Sequence, residues 1–298
     1  MVPSVNILVA YKKSRYEQLV IDQHDESIKE LIAQQDVSVA RLLTSHDNHT
    51  RSLETILEEL TRQNLSFDAV PRGQSTRPED DYELVIIVGG DGTLLDLSHR
   101  ILSTPVLAIN SDPSASVGYF CAGTAADFAT LLEKTLDKKL KSTQLGRFCA
   151  TINHDTRTPP VLNEILICHA NPAAVSSYFF RVDDYEEAQR SSGIWLSTPA
   201  GSTAAIRSAG GMVMPLGNNT IQFVVREPYM TSKSNFRQLK GVRPFGATIE
   251  VISKMQGGRI YVDGPHIEYP FQTGDRIRLD FNVPALEVFG MQAKRRAY

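Results

Sequence analysis

The sequence predicts two architectures in one chain. Residues 1–122 read as an α/β, Rossmann-like domain. Residues 123–279 read as a mainly β, sandwich-like domain, and 280–298 are expected to return to the first. Three observations carry this. Up to residue 122, short apolar runs alternate with helical periodicity, as in a parallel sheet with crossover helices. A capping box then opens another helix. From Arg147 to Phe289 the texture changes to short, often alternating strand candidates separated by Gly, Pro, Asn and Asp, the pattern of an antiparallel β domain.

Taken in order, Val5 to Tyr11 is a short apolar strand candidate. Ser52 is expected to cap a helix carrying Leu53, Ile56, Leu57 and Leu60 at i, i+3, i+4 and i+7. The polar stretch QSTRPEDD (74–81) reads as a loop. Leu84 to Val88 is apolar throughout, as a parallel strand covered on both faces is, and Val106 to Asn110 repeats the pattern. Thr124 with Asp127 forms the capping box, ahead of Phe128, Leu131, Leu132 and Leu136 at helical spacing. The later strand candidates are RFCATIN, SSYFFRV, TIQFVVR, GATIEVIS, RIYV, RIRLDF and ALEVF.

Bulk properties exclude several classes. Of 298 residues, 42 % are apolar, enough for a sizeable core, and the net charge of −3 gives no basic excess for nucleic acid or an anionic membrane. No apolar run approaches the roughly 18 residues of a membrane span. The start, MVPSVNILVAYKKS, lacks the basic region of a signal peptide and reads as a first strand. Cys121, Cys149 and Cys168 form no CxxC pair and are expected to be reduced structural thiols, which points to the cytoplasm. The end, AKRRAY, loosely resembles a C-terminal peroxisomal address, so peroxisomal targeting through Arg-Ala-Tyr is the alternative. His46 and His49 have HxxH spacing in a polar stretch without other obvious ligands, so solvated histidines are expected there and no metal ligand is assigned.

The chemistry concentrates at VIIVGGDGTLL (85–95). Glycines after a parallel strand let backbone N–H groups approach a ligand. The following helix N-terminus favours an anion. GxxxxGK[ST] is absent, and Leu95 stands where the dinucleotide pattern GxGxxG needs its third glycine. A carboxylate, Asp91, in an anion-cradling loop makes sense if it binds Mg²⁺ or accepts a proton from a hydroxyl being phosphorylated. The plainer alternative is a helix cap or turn.

GGDGT is the signature of a kinase superfamily that includes NAD kinases, diacylglycerol and sphingosine kinases and phosphofructokinases. Two further stretches, LNEILI (162–167) and GIWLSTPAGSTAAIRSAGG (193–211), resemble the NE and glycine-rich motifs of NAD kinases, in the family's order. NSDPSASVGYFCAG (110–123) resembles the stretch leading into the adenine pocket, and RIYVDG (259–264) a late family strand. The chain is thus similar to the NAD kinase family from about residue 80 onward. Within it the chain most resembles the NADH kinases of plant peroxisomes and their bacterial relatives, through SDP, RSSG, PAAVS, GSTAA and VREP.

The resemblance implies an NAD kinase-like fold and a set of site residues. Asp91 becomes the catalytic candidate, placed to activate the adenosine ribose 2′-hydroxyl. Gly89, Gly90, Gly92 and Thr93 become phosphate-binding. Asn163 and Glu164 interrupt an apolar strand and become dinucleotide-binding, where a strand-end turn is the alternative. Ser197, Thr198, Gly201, Ser202, Thr203 and Ala204 form a small polar segment against the dinucleotide, equally readable as a helix N-cap with Pro199. Tyr119 matches the aromatic position near adenine, Ser192 the nicotinamide end, and Asp263 a second acidic position, alternatively a turn residue. ATP or another triphosphate, Mg²⁺ or Mn²⁺, and NAD(H) are implied as donor, metal and substrate, and a homodimer as the assembly. The commoner members carry Asp-Gly where this chain has Ser192–Gly193, and a hydroxyl residue and a tyrosine at Ala200 and Ala205. Losing that carboxylate weakens preference for the cationic nicotinamide of NAD⁺ over neutral NADH. A lipid kinase of the same superfamily and an NAD(H)-binding sensor without turnover are the competing readings.

Overall fold

The computed structural model describes residues 5–230 and 235–291. The C-terminal Arg-Ala-Tyr lies outside the described residues. Contacts divide the chain into two compact units: the residues up to Thr143 together with those from Leu286 onward, and Gln144–Ala285. The first boundary therefore falls later than the 122 expected, and the return begins at Leu286 and not at 280. Packing explains both shifts. The helix over Phe128–Leu136 buries Phe128 and Leu132 against strands of the first sheet. Arg276–Asp280 is a strand of the second unit, paired with Ile249–Ser253 and Cys149–Ile152.

The first unit is built on a sheet of β1 (Asn6–Tyr11), β2 (Ser66–Pro71), β3 (Leu84–Gly89) and β4 (Val106–Asn110), in the order β2-β1-β3-β4. All these pairs are parallel. β3 and β4 are buried at every residue, which is why their sequences are continuously apolar. Leu286–Phe289 continues the sheet beside β4, in parallel, with Val288 opposite Val106. By texture ALEVF reads with the antiparallel strands; its partner is β4, in the parallel sheet of the first unit. The helices are α1 (Glu26–Ala33), α2 (Leu42–Arg62), α3 (Asp91–Ser98) and α4 (Phe128–Leu136). The capping box of Thr124 with Asp127 forms, and leads through one tight turn into α4.

α2 corrects two expectations. It starts at Leu42, so Ser52 lies inside it and does not cap it. Its first half, LLTSHDNHTRS, is nearly devoid of apolar periodicity and reads as loop from sequence. It is helical because its polar face has partners on the segment after β4. Asn48 Nδ2 donates to Asp112 Oδ1 (3.1 Å), His49 Nδ1 pairs with Ser111 Oγ (2.9 Å) and Ser52 Oγ donates to the Ser111 carbonyl (2.9 Å). The HxxH histidines are therefore not both solvated: His49 is buried.

The second unit has two six-stranded antiparallel sheets. One runs Tyr185–Ser191, Ser176–Val182, Ile249–Ser253, Arg276–Asp280, Cys149–Ile152, Thr156–Arg157. The other runs Lys240–Pro244, Thr220–Val225, Ile194–Ser197, Glu164–His169, Gly258–Val262, Ile267–Phe271. Ser176–Val182 alternates strictly, with Tyr178, Phe180 and Val182 turned inward. The inner faces of both sheets share one apolar core, in which Phe180 meets Phe223 edge to face at 5.1 Å. The three cysteines are free and buried.

Candidate active site

In the first unit the chain order reverses between β1 and β3, because β2 lies on one side of β1 and β3 on the other. Ligands of open α/β sheets bind beyond the carboxyl ends of the strands at such a switch point. A cavity of about 540 Å³ lies there. Its walls come from the residues following β1 (Lys12, Lys13) and β3 (Gly90, Asp91, Gly92, Thr93), with Arg41, Ser45, Arg72 and Ser116 completing much of the rest.

Asp91 is the first residue of α3, and its Oδ1 accepts the Phe120 N–H at 2.8 Å. That bond ties the carboxylate to the segment carrying Tyr119, whose half-buried ring stands edge-on to Phe120 at 5.6 Å. The motif's glycines divide into two kinds. A Cβ on Gly89 would lie 2.2 Å from Thr93 Oγ1, and one on Gly90 2.4 Å from Ser116 Oγ. These two keep the turn tight, and Thr93 is buried beneath it. A Cβ on Gly92 would meet nothing within 4 Å, so this side of the turn is open to a ligand, while its carbonyl accepts from Arg72 Nη1 (3.5 Å).

Five cations line this cavity with Asp91: Lys12, Lys13, Arg15, Arg41 and Arg72. Lys13 pairs with Asp22 (2.7 Å) and Arg72 with Asp96 (3.3 Å). Lys12, Arg15 and Arg41 have no ion-pair partner among the described residues. Burial holds the Lys12 ammonium below its ordinary value; Asp112 opposes this and Arg72 adds to it. His49 anchors the same corner, paired with Ser111 Oγ on one nitrogen and hydrogen-bonded to the Lys12 backbone. Burial, with the Lys12 charge second, pushes its pKa down to about 4, so it is a neutral tether. Sequence reasoning missed these cations. The signal available was KKSR (12–15) directly after an apolar parallel strand, where a ligand is expected.

The NE and glycine-rich motifs meet in the second unit. Ser197 is registered opposite Glu164, and Ile165 opposite Val262. Thr198 donates its N–H to the Asn163 carbonyl (2.9 Å) and its hydroxyl to the Leu162 carbonyl. Gly201 lies against the Asn163 backbone so closely that a Cβ would sit 2.4 Å from its oxygen. Ser202 Oγ donates to the Pro199 carbonyl (2.8 Å) and accepts the Met214 N–H (2.9 Å), so its hydroxyl is engaged inside the protein. Thr203 and Ala204, half-buried, follow at the start of the short helix Ala205–Ser208. Asp263 accepts three successive backbone N–H groups, from Leu162, Asn163 and Glu164. In this way it fixes the turn that presents Asn163 and Glu164. Their Oδ1 and Oε2 atoms are buried and lack a hydrogen-bond partner among the described residues, which suits groups that face a ligand. Burial, then the Asp263 charge, pushes the Glu164 pKa up to about 8.

Ser192 lies between Tyr185–Ser191 and Ile194–Ser197, and its N–H donates to the Arg226 carbonyl (3.0 Å). The nearby guanidinium groups lie over aromatic rings, Arg190 over Tyr229 and Arg226 over Trp195.

The chain has relatives among known proteins. Residues 18–151 match the diacylglycerol kinase catalytic domain family. A probable NADH kinase of Oryza sativa subsp. japonica is 36 % identical over 262 residues, 80 % of this chain and 81 % of that one. An NADH kinase of Arabidopsis thaliana is 34 % identical over 264 residues, 81 % and 83 % of the two chains. The fold is shared with an NAD kinase from Archaeoglobus fulgidus solved with ATP (TM-score 0.68, 20 % identity, 96 % of this chain and 94 % of that one). It is shared too with yeast NADH kinase solved with NADH (TM-score 0.68, 18 % identity, 99 % and 85 %). The relatives that match four fifths of the chain are kinases, which places it among the phosphotransferases. The chain belongs to the NAD(H) kinase family.

Proposed function

We propose that this chain is an NAD(H) kinase, transferring the terminal phosphoryl group of a nucleoside triphosphate to the 2′-hydroxyl of the adenosine ribose. The observation that carries the reading is the switch-point cavity that Asp91 lines together with five cations. A polyphosphate is the anion that such a cradle fits, and a carboxylate beside it is placed to accept a hydroxyl proton. The family relatives are named for this activity, whereas the lipid-kinase alternative has only the shared α/β signature.

In this mechanism Asp91, oriented by the Phe120 N–H, takes the proton of the attacking hydroxyl. Lys12, Arg15, Arg41 and Arg72 hold the donor phosphates and offset charge as the bond to the leaving phosphate loosens. Asn163 and Glu164 bind the dinucleotide. The described residues contain no group of three His, Cys, Asp or Glu side chains suited to a metal, and Asp91 is the carboxylate lining the cavity. This fits Mg²⁺ or Mn²⁺ arriving with the donor, since Mg²⁺ commonly takes one or two carboxylates plus substrate phosphates. When bound, the metal neutralises phosphate charge.

NADH is the preferred acceptor in this reading. Ser192 supplies no charge to attract the cationic nicotinamide of NAD⁺, and Arg190 precedes it by two places. A homodimer is proposed too, supported by exposed Met212, Tyr229 and Met230 in the second unit, which such an assembly would cover. The compartment proposed is the cytoplasm, with the peroxisome as alternative.

Incubating the protein with ATP, Mg²⁺ and either NAD⁺ or NADH, and quantifying NADP⁺ and NADPH separately, tests the reading. Faster NADPH formation supports kinase and acceptor preference together. Faster NADP⁺ formation keeps the kinase and refutes the preference. Binding without product from either acceptor favours a sensor.

A further inference from the structure

Asp263, half-buried, and Glu164, buried, form a pair of carboxyl groups with unequal surroundings. Asp263 accepts N–H groups from Leu162 (2.8 Å), Asn163 (2.7 Å) and Glu164 (2.9 Å). Three backbone dipoles converging on one carboxylate favour its ionised form strongly. Glu164 is 7 % exposed, and its Oε2 is buried without a hydrogen-bond partner among the described residues. The charged group facing it from the neighbouring strand end is Asp263; from the helix Ala205–Ser208 the Ala205 N–H donates to it. A second negative charge in this corner would be desolvated, unpaired and close to the first. Asn163 Oδ1, also buried and unpartnered, faces the same need for a ligand.

We infer that Asp263 is the permanent anion of the pair and a positioning residue, and that Glu164 acts as a neutral acid, donating its O–H to an oxygen on the ribose–phosphate part of the bound dinucleotide. The inference rests on the dinucleotide reading of this corner. It explains why a glutamate can face a ligand carrying two negative phosphates: the neutral acid adds a donor where a carboxylate would add repulsion. The upward shift of the Glu164 pKa to about 8 has the same origin, burial first and the Asp263 charge second.

Two readouts on the full chain test this separately from the kinase reading. In the first, ¹³C NMR of the Glu carboxyl groups is titrated, with Glu164 assigned from its absence in Glu164→Gln. Glu164 is expected to titrate near pH 8, against about 4.3 for an ordinary glutamate, and Asp263→Asn is expected to move it down. In the second, NADH binding is followed by fluorescence from pH 6 to above 9. Affinity is expected to hold to about pH 8 and then fall by about tenfold per unit. Glu164→Gln, neutral at every pH, is expected to bind NADH within a few-fold of wild type at pH 7 and to lose that fall. A purely structural role for Glu164 would leave no such pH difference. If Asp263→Asn fails to fold, the wild type and Glu164→Gln still decide. Titration in the ordinary carboxylate range overturns the inference. So does an NADH affinity that is flat through pH 9 and lost in Glu164→Gln. Titration near pH 8 with no NADH binding at any pH overturns the donor role by removing the dinucleotide reading, while the anion–acid assignment stands.

Discussion

A methyl group on Gly201 would have to occupy space already filled by the Asn163 backbone. The Cβ of Gly201→Ala would lie 2.4 Å from the Asn163 carbonyl oxygen, 2.5 Å from its carbon and 2.6 Å from Cα. Asn163 cannot simply retreat. Its N–H is held by Asp263 (2.7 Å), and its carbonyl accepts from the Thr198 N–H (2.9 Å) and Ser197 Oγ (3.2 Å). Overpacking alone costs roughly 1–3 kcal/mol, and each hydrogen bond stretched out of range adds about 1 kcal/mol. The expected loss is therefore about 3 kcal/mol, which corresponds to roughly 6–12 °C in Tm for a unit of this size. Gly217→Ala is the control, because its Cβ meets nothing within 4 Å; it is expected within about 0.5 kcal/mol of wild type. Urea unfolding measures both, and NADH titration reads the site. Gly201→Ala should bind NADH at least about tenfold more weakly, since a shift worth only about 1.4 kcal/mol suffices. Wild-type stability and NADH affinity in Gly201→Ala would refute the claim that the two motifs are packed backbone to backbone.

Asp91→Asn keeps an oxygen for the Phe120 N–H but cannot accept a proton; kcat should fall by roughly 10²–10⁴-fold with NADH affinity little changed, as stopped-flow and titration will show. Lys12→Ala and Arg72→Ala should raise KM for ATP while leaving KM for NADH near wild type, and the ATP KM of the wild type should rise with salt, measured in initial-rate assays. Two buried groups give opposite pH dependences of stability. The Glu164 pKa is raised from 4.5 to about 8, so stability associated with it is complete below pH 4.5 and is lost as pH rises through 8. Glu164→Gln should remove this decline and be more stable at pH 8 by on the order of 4 kcal/mol, read by denaturant unfolding. The His49 pKa is lowered from 6.5 to about 4, so its contribution is present above pH 6.5 and lost as pH falls to 4. His49→Gln should flatten the acid side of the Tm profile, an effect of up to about 3 kcal/mol.

Elements with a local physical cause were legible. β3 and β4 were readable because full burial demands uninterrupted apolar residues. The Thr124–Asp127 box was readable because a cap is made by residues three apart. Ser176–Val182 was readable because one face of an antiparallel strand alternates. Elements stabilised by distant partners were not. The first half of α2 has almost no apolar stripe, and its helicity depends on Ser111 and Asp112. Tyr185–Ser191 reads YEEAQRS, too polar for a strand from sequence, yet it pairs along its full length with Ser176–Val182.

The site divides along the same line. The sequence by itself determined where the chemistry lies, because a turn that needs glycine beside a carboxylate, and an Asn-Glu break in an apolar strand, leave their marks within a few residues. The tertiary structure decided what each residue does. Parallel strand order brings Lys12 and Arg72 to the cavity of Asp91 at the switch point, and the start of α2 brings Arg41. Sheet register sets Asp263 under the Asn163–Glu164 turn and Gly201 against its backbone. Coulomb attraction, desolvation and steric exclusion depend on distance through space, and that distance is set by the fold and not by position along the chain.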